Sequence, residues 1–257
     1  MFNREVAIVT GGASGIGRGI AFGLTEKGIA IVIADINLNG AEEVTVELLS
    51  KNHRAVAVQT DITSPAAVES MVARTVELFS RVDILVNDAG IDLFVPTLEM
   101  TESQWDAVLG VNLKGQFLCS QAVAKVMIKQ GGGKIINIAS AGAHGAIPDK
   151  LAYCASKAGV IALTRSLAVD WAKYNISVNS VSPGRTNTPL VQALRMKQPA
   201  EVFERRTKRI PLARIAQIED IAKLVLFLVS QDSNYITGQD IIIDGGLFAT
   251  HPGHVLS

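Results

Sequence analysis

The stretch Val6-Ala7-Ile8-Val9-Thr10-Gly11-Gly12-Ala13-Ser14-Gly15-Ile16-Gly17 decides the fold of this chain. Its apolar start predicts a buried strand, and its glycines predict a tight turn into a helix that begins near Gly15. Glycine lets a phosphate approach the backbone because it has no Cβ. A helix beginning there points its free N–H groups and its positive dipole end at that phosphate. A glycine-rich turn is a weak signal alone, but between a first strand and a first helix it indicates a dinucleotide site.

Outward from this stretch, short apolar runs alternate with longer helical patterns. The predicted strands are 6–9, 29–34, 55–58, 82–86, 134–138, 176–181 and 241–243. The predicted helices are 15–27, 40–50, one from about Pro65, 102–129, 151–171 and 218–229. Strands that alternate with helices of this length indicate βαβ units. We therefore expect an α/β fold with a doubly wound parallel β-sheet of about seven strands and helices on both faces.

Composition excludes several classes of protein. The 257 residues are 48% hydrophobic, and 24 basic residues balance 24 acidic ones, so no net field favours nucleic acid or an anionic membrane. No apolar stretch approaches the length needed to span a bilayer. The N-terminal residues lack the features of a signal peptide, and the two cysteines, Cys119 and Cys154, do not make a disulfide framework. We expect a cytoplasmic protein.

Two acids follow predicted strands at the nucleotide end. Asp35 ends the second strand, where an acid accepts hydrogen bonds from the adenosine ribose and repels a 2′-phosphate. Its neighbours Ile36 and Asn37 supply no cation, which favours NAD over NADP. Asp61 follows the third strand and either accepts from the adenine amino group or caps the next helix, although Thr63 or Ser64 is the better-placed cap.

The segment 185–214 interrupts the alternation of strands and helices. It carries three prolines and follows the sixth strand, whose carboxyl end faces the expected ligand crevice. We interpret it as a substrate lid rather than a solvated surface excursion. Its basic residues either attract an anionic substrate or form a solvated helix face; they are Arg195, Lys197, Arg205, Arg206, Lys208 and Arg209.

Tyr153 and Lys157 are spaced four residues apart on a predicted helix and therefore share one face. An ammonium group next to a phenol favours the phenolate, so Lys157 is expected to lower the pKa of Tyr153. A phenol with a lowered pKa can take and return a proton near neutrality. Ser140 follows the fifth strand, where its hydroxyl can place a substrate oxygen beside Tyr153.

Seven short motifs, in order, resemble the short-chain dehydrogenase/reductase family over nearly the whole chain. They are Thr10-Gly11-(three residues)-Gly15-Ile16-Gly17, Asn87-Asp88-Ala89-Gly90, Asn112, Ser140, Tyr153-(three residues)-Lys157, Pro183-Gly184 and Asp244-Gly245-Gly246. The resemblance implies one Rossmann-like domain over residues 1–257, assembled as a homotetramer. One position departs from the family pattern: Asp88 stands where the family usually has Asn, for which we expect a small effect on local stability.

The resemblance also assigns roles to residues. It implies that Lys157 holds the nicotinamide ribose and that Asn112 holds a water linking Lys157 to solvent. The implied catalytic residues are Asn112, Ser140, Tyr153 and Lys157. The expected cofactor-binding residues are Gly11, Ser14, Gly15, Ile16, Gly17, Asp35, Asp61, Ile62, Asn87, Ala89, Gly90, Tyr153, Lys157, Pro183, Gly184, Thr186 and Thr188.

Substrate contacts are expected from the loops that the fold brings around Tyr153. The candidates are Ser140, Asp92, Phe94, His144 and Asp149. His251 and His254 lack a third ligand, so we expect no metal site, and we expect the tail from Phe248 to pack at a subunit boundary.

These observations predict an NAD-dependent oxidoreductase that interconverts a secondary alcohol, polyol or sugar-like, and its ketone. The nearest alternative is an NADPH-dependent reductase of a ring ketone or 3-oxoacyl thioester, against which Asp35 argues. An alternative of another class is a non-catalytic nucleotide sensor, a role that would not require Ser140, Tyr153, Lys157 and Asn112 together.

Overall fold

The computed structural model describes residues 5–196 and 199–250, in which strands and helices alternate as expected. The strands are β1 (Val6–Thr10), β2 (Ala30–Asp35), β3 (Ala55–Gln59), β4 (Ile84–Asn87), β5 (Gly133–Ile138), β6 (Ile176–Pro183) and β7 (Asp240–Ile243). The helices are α1 (Gly15–Glu26), α2 (Leu38–Ser50), α3 (Pro65–Phe79), α4 (Glu102–Leu109), α5 (Gln116–Gln130), α6 (Leu151–Trp171), α7 (Pro189–Met196), α8 (Ala200–Lys208) and α9 (Ile218–Val229).

The seven strands form one parallel sheet in the order β3-β2-β1-β4-β5-β6-β7. The strand order reverses between β1 and β4, which pair in register from Ala7 with Ile84 to Thr10 with Asn87. Ligands of doubly wound sheets bind outside the carboxyl ends of the strands at such a reversal. The Rossmann-like fold expected from the sequence is thereby confirmed.

Strand residues alternate between two apolar layers, one on each face of the sheet. Ala7 and Val9 pack in the layer that contains α1, α2 and α9. Ile8, between them, packs in the opposite layer with α3, α5 and α6. Every residue of β1 is buried, as a strand covered by helices on both faces requires.

The predicted helix over 102–129 is wrong in one respect, because it is not continuous. A π-helical turn, Gly110–Gly115, separates α4 from α5. Such turns occur frequently at functional sites, and this one contains the buried Asn112. The predicted end of this helical region is confirmed: Gly131 adopts a left-handed conformation with φ of 93° after α5.

The segment between β6 and α9 contains two short helices, α7 and α8, which have no counterpart in the predicted elements. No helix within 5–196 or 199–250 combines the length and the apolar character needed to cross a bilayer.

Candidate active site

A cavity of about 1260 Å³ opens at the carboxyl ends of the strands, where the chain reverses its strand order. Its walls run from Asp35 and Asp61 at one end to Tyr153 and the segment 185–214, called the lid below, at the other. This volume exceeds the roughly 300–1,000 Å³ of typical small-molecule pockets, and it accommodates a long ligand together with a smaller one.

The glycine-rich turn forms the floor of this cavity. Gly11 has φ of +69°, and a Cβ at this position would lie 2.8 Å from the backbone of Ala89. Gly17 is equally constrained, since its Cβ would lie 2.5 Å from the Gly11 carbonyl oxygen. The Ser14 side chain makes no capping hydrogen bond to α1, so its hydroxyl and the N–H groups at the start of the helix before Gly17 remain for a ligand.

Asp35 lies in the cavity wall at the end of β2, as expected. One carboxylate oxygen accepts a hydrogen bond from the Ala13 N–H at 3.1 Å, and the other accepts from the Asn37 N–H at 2.9 Å. These bonds fix the carboxylate beside the glycine turn. Asn37 itself caps α2 by accepting from the Gly40 N–H.

Asp61 is exposed at the edge of the cavity. Its Oδ1 accepts from the Thr63 hydroxyl at 2.7 Å and from the Thr63 N–H at 2.9 Å, and these bonds lower the pKa of the carboxyl. Ser64, not Asp61, caps α3, which confirms one of the two caps considered. Asp61 thus remains available to a ligand through its other oxygen.

Asp88, the departure from the family pattern, is half-buried beside the glycine turn and lines the cavity. Its Oδ2 accepts a hydrogen bond from the Gly17 N–H at 2.7 Å. Burial raises the pKa of Asp88 to about 7, and the positive charge of Lys157 opposes that rise. The carboxyl therefore connects the nucleotide turn electrostatically with Lys157.

Tyr153, Ser140 and Lys157 converge in the cavity wall. Ser140 follows β5, and Tyr153 and Lys157 share one face of α6. Burial raises the pKa of Tyr153 to about 12, and a hydrogen bond with Ser140 opposes that rise. The phenol thus holds its proton at neutral pH.

The expectation that Lys157 lowers the pKa of Tyr153 is not met in this structure. The Lys157 Nζ lies 5.9 Å from the centre of the Tyr153 ring and donates to the Ile138 carbonyl at 2.7 Å. Burial lowers the pKa of Lys157 to about 8, with the carboxylate of Asp88 opposing that effect. At both Tyr153 and Lys157, loss of hydration is the largest cause of the pKa shift.

Asn112 lies behind Lys157 rather than in the cavity wall. Its amide nitrogen donates to the Ile91 carbonyl at 2.9 Å and to the Ser156 hydroxyl at 3.1 Å, and its oxygen accepts from the Ile91 N–H. It thereby fixes the loop after β4 to α6. Its role in holding a water stays a prediction.

Two of the expected cofactor residues, Gly17 and Asn87, also lie outside the cavity wall. Asn87 is fully buried and donates to the Asn137 oxygen at 2.8 Å and to the Ser120 hydroxyl at 2.9 Å. Gly17 packs against the turn itself. Both support the wall from behind, whereas the remaining expected cofactor residues line it.

Asp92, Phe94 and Asp149 line the end of the cavity that contains Tyr153, here called the substrate end, and their contact with a substrate stays a prediction. Asp92 forms an ion pair with Lys150, whose ammonium lies 4.1 Å from the Phe94 ring centre and 5.2 Å from that of Tyr153. Sequence reasoning missed Lys150, for which the only signal was a cation three residues before Tyr153 on the same helical face.

His144 does not contact this cavity, contrary to expectation. Its Nε2 lies 2.7 Å from Oδ2 of Asp240 in β7, and its ring packs edge-on to Phe248. Asp240 is buried and already accepts hydrogen bonds from Ser180 and Ser182, so it forms a polar anchor that holds His144 away from the substrate. Phe248 itself lines the cavity and was expected at a subunit boundary instead.

The segment 185–214 contributes further residues to the cavity wall, among them Arg195, Arg206 and Arg209, for which the sequence left a substrate contact and a solvated helix face both open. These further residues are Arg185, Val191, Arg195, Phe203, Arg206, Arg209 and Ile210. Over 5–196 and 199–250, no group of three His, Cys, Asp or Glu side chains could hold a metal ion. His251 and His254 lie outside the described residues.

The donor set fits a nicotinamide dinucleotide. The turn supplies N–H groups and the Ser14 hydroxyl for phosphates, Asp35 supplies acceptors for a ribose diol, and Lys157 supplies an ammonium beside Tyr153. A Cβ at Gly15 would meet nothing closer than Thr188 at 3.8 Å, so the backbone there is open to a phosphate. Fold and site together define a dinucleotide-binding oxidoreductase.

Comparison with known proteins agrees with this class. Residues 11–248 match the family model described as enoyl-(acyl carrier protein) reductase. The chain is 41% identical over 243 residues to an NAD-dependent glycerol dehydrogenase of Listeria innocua, covering 94% of this chain and 93% of that one. It is 37% identical to the 3-oxoacyl-[acyl-carrier-protein] reductase FabG of Thermotoga maritima, with 95% and 97% covered.

Solved structures give the same result. A 7α-hydroxysteroid dehydrogenase complexed with NADH and 7-oxo glycochenodeoxycholic acid superposes with a TM-score of 0.89 at 33% identity, covering 95% of this chain and 94% of that one. The chain belongs to the short-chain dehydrogenase/reductase family and is an oxidoreductase.

Proposed function

We propose that this chain is an NAD-dependent dehydrogenase that interconverts a secondary alcohol, of polyol or sugar-like type, and its ketone. The observation that carries the proposal is the convergence of Tyr153, Ser140 and Lys157 in the wall of the cavity that also contains the glycine turn and Asp35. A family relative named as a glycerol dehydrogenase supports the polyol class.

In the reduction direction, Tyr153 donates its proton to the substrate oxygen as that oxygen gains negative charge. The raised pKa of Tyr153 suits this role, because the phenol is protonated at neutral pH. Ser140, hydrogen-bonded to Tyr153, positions the same oxygen. The bound nicotinamide supplies or accepts the hydride, and its oxidised form adds a positive charge near Tyr153.

In the oxidation direction, Tyr153 must accept the hydroxyl proton. Positive charge beside the phenol favours the phenolate, so the oxidised cofactor, when bound, would lower the pKa of Tyr153 from its raised value in the protein alone. Asn112 holds the Ile91 loop against α6 and so keeps the space beside Lys157. We propose that protons leave the site along this side.

The preference for NAD follows from Asp35. Its carboxylate is fixed by two backbone N–H groups at the point where a 2′-phosphate would enter. Arg18, on the helix after the glycine turn, is paired with Glu47 and lies 4.6 Å from the centre of the Phe22 ring. A 2′-phosphate would therefore meet a carboxylate rather than a guanidinium.

A second candidate function is reduction of a 3-oxoacyl thioester with NADPH. The specific observations in its favour are the reductase description of the matched family model and the FabG relative. The two candidates differ in the cofactor they prefer and in the size of the substrate.

The test is reduced-nicotinamide absorbance with purified protein, using polyols, sugars, secondary alcohols and acetoacetyl thioesters, each with NAD(H) and NADP(H). Turnover of an alcohol with NAD supports the proposal, and turnover of thioesters with NADPH alone replaces it with the second candidate. Tyr153→Phe should lower kcat by about 10²- to 10⁴-fold while NADH binding persists. Tyr235→Phe, at a fully exposed position, is the matched control.

We also propose that the protein assembles as a homotetramer in the cytoplasm, as the family resemblance implies. Light scattering after size-exclusion chromatography measures the oligomeric state directly. A monomer at micromolar concentration would contradict the assembly without affecting the assignment of Tyr153.

A further inference from the structure

Four arginines line the cavity beneath the lid. Arg185 follows β6, Arg195 lies on α7, Arg206 lies on α8, and Arg209 follows α8 directly. They come from three separate elements and reach one cavity, so they do not form the solvated face of a single helix.

Phe203 holds two of these guanidinium groups in place. The Cζ of Arg185 lies 5.2 Å from the centre of the Phe203 ring, and that of Arg195 lies 4.8 Å from it. Guanidinium groups stacked on an aromatic ring lose little further freedom when they bind a ligand. The backbone of Arg185 is fixed as well, since its carbonyl accepts from the Ala216 N–H at 2.9 Å.

Arg185 carries an unsatisfied donor. Its Nη1 is buried and makes no hydrogen bond, although buried polar groups are nearly always paired. Burial lowers the pKa of Arg185, and the positive charge of Arg206 lowers it further. A half-buried guanidinium with an unpaired donor, beside a second cation, is stabilised when an anion binds there.

The acids in this part of the wall do not compensate that charge. Asp92 is paired with Lys150, and among the described residues no carboxylate forms an ion pair with Arg185. Asp149 is the other acid at the Tyr153 end of the wall, and it likewise forms no ion pair with Arg185.

We propose that this arginine cluster binds an anionic group of the substrate, a carboxylate or a phosphate, away from the carbon that reacts at Tyr153. The proposal rests on the dehydrogenase function proposed above and narrows its substrate class to a charged hydroxy compound. Guanidinium groups bind both anions through paired N–H donors, so the cluster fits either chemistry.

The test compares matched charged and neutral alcohols: 3-hydroxybutyrate with its methyl ester, and glycerol 3-phosphate with glycerol. We expect the anion to be preferred in at least one pair, and the responding pair identifies carboxylate or phosphate. Arg185→Gln should lower kcat/KM for that anion by about 10- to 100-fold and should lower kcat/KM for the neutral partner far less. Arg195→Gln should act in the same direction, and Arg205→Gln, on α8 but outside the cavity wall, should have no effect.

Two results would contradict a substrate-anion site in this cluster. NADH titration should give the same Kd for Arg185→Gln and wild type; a Kd that weakens in step with kcat/KM would assign the arginines to the cofactor pyrophosphate and overturn the proposal. Equal loss of kcat/KM on charged and neutral alcohols would also overturn it.

Calorimetric titration of the NAD-bound protein with 3-hydroxybutyrate and glycerol 3-phosphate separates binding from turnover. Arg185-dependent binding without turnover of any alcohol would support the anion site and refute the proposed dehydrogenase function. Failure of both anions to bind would overturn the anion site, whatever the turnover of neutral alcohols.

Discussion

The two ends of the cavity are built by different parts of the chain. At the nucleotide end, strand ends and backbone groups form the wall, with Gly11 held against Ala89 and Asp35 held by two N–H groups. At the substrate end, long side chains from the lid and the loops form the wall. The Lys150 ammonium lies over the Phe94 ring, and two arginines lie over the Phe203 ring. A site built from backbone tolerates little change, whereas a site built from side chains can change its specificity one residue at a time.

Gly17→Ala should give the largest effect at the nucleotide end. The new Cβ would lie 2.5 Å from the Gly11 carbonyl oxygen and 2.7 Å from Oδ2 of Asp88, so the backbone of the turn must move. We expect a loss of about 1–3 kcal/mol in stability and at least about a tenfold rise in the NADH Kd. Fluorescence titration and urea unfolding measure the two quantities.

Gly110→Ala is the matched control for that change. Its Cβ would meet no atom within 4 Å, and its backbone is right-handed helical. NADH binding should be unaffected and stability unchanged or slightly higher. If both alanine variants bind NADH like the wild type, the nucleotide end is less constrained than its backbone geometry indicates.

Asp35→Ala should have the next largest effect, on the choice of cofactor. The change removes acceptors for the ribose and the charge that repels a 2′-phosphate. We expect the ratio of kcat/KM for NAD to that for NADP to fall by about 10- to 100-fold. An unchanged ratio would remove the argument for NAD, because Ile36 and Asn37 carry no charge.

The nucleotide end could be predicted because its determinants are local in the sequence. A turn with glycines at fixed positions and an acid at the end of β2 specify it within thirty residues, 6–35. The parallel strands follow from the apolar runs, since central strands such as β1, β2 and β4 are covered on both faces. The sequence pattern could not show which residues line the cavity and which support its wall from behind. Gly17, Asn87 and Asn112 belong to the second group.

The substrate end could be predicted only in part because it depends on long-range packing. His144 lies on the loop that begins at Ser140, yet Asp240, almost a hundred residues later, holds it outside the cavity. The basic residues of the lid could be identified in the sequence, but only the packing of α7 and α8 places the arginines in the wall of one cavity. No periodicity encodes a contact between Arg185 and Phe203.

Asp88→Asn should change how stability depends on pH. The folded-state pKa of Asp88 is raised to about 7 from 3.8, so the folded state binds more protons than the unfolded state between those values. The unfolding free energy of the wild type therefore falls as pH rises through this interval. Asparagine does not titrate, so the variant should gain about 2–4 kcal/mol relative to wild type between pH 4 and pH 8, which is more than the small effect on stability expected from the sequence.

Urea unfolding at a series of pH values checks this, and NADH titration at pH 7 supplies the control. The asparagine oxygen can still accept from the Gly17 N–H, so NADH binding should be preserved. A stability difference that is independent of pH would show that the buried carboxyl has an ordinary pKa. A large loss of NADH affinity would show that its charge, and not only its hydrogen bond, shapes the turn.

His144→Ala should have the smallest effect and gives the sharpest test of the substrate end. Because the side chain pairs with Asp240 outside the cavity, its loss should leave kcat/KM unchanged. Asp240 keeps the hydroxyl donors of Ser180 and Ser182, so we expect only about 0.5–1 kcal/mol of destabilisation. His53→Ala, at a half-buried position outside the cavity wall, is the matched control.

The opposite result would be a fall in kcat/KM of tenfold or more for His144→Ala with stability unchanged. The His144 ring would then reach the substrate during turnover. The substrate end of the cavity would have to rearrange in a way that the nucleotide end does not.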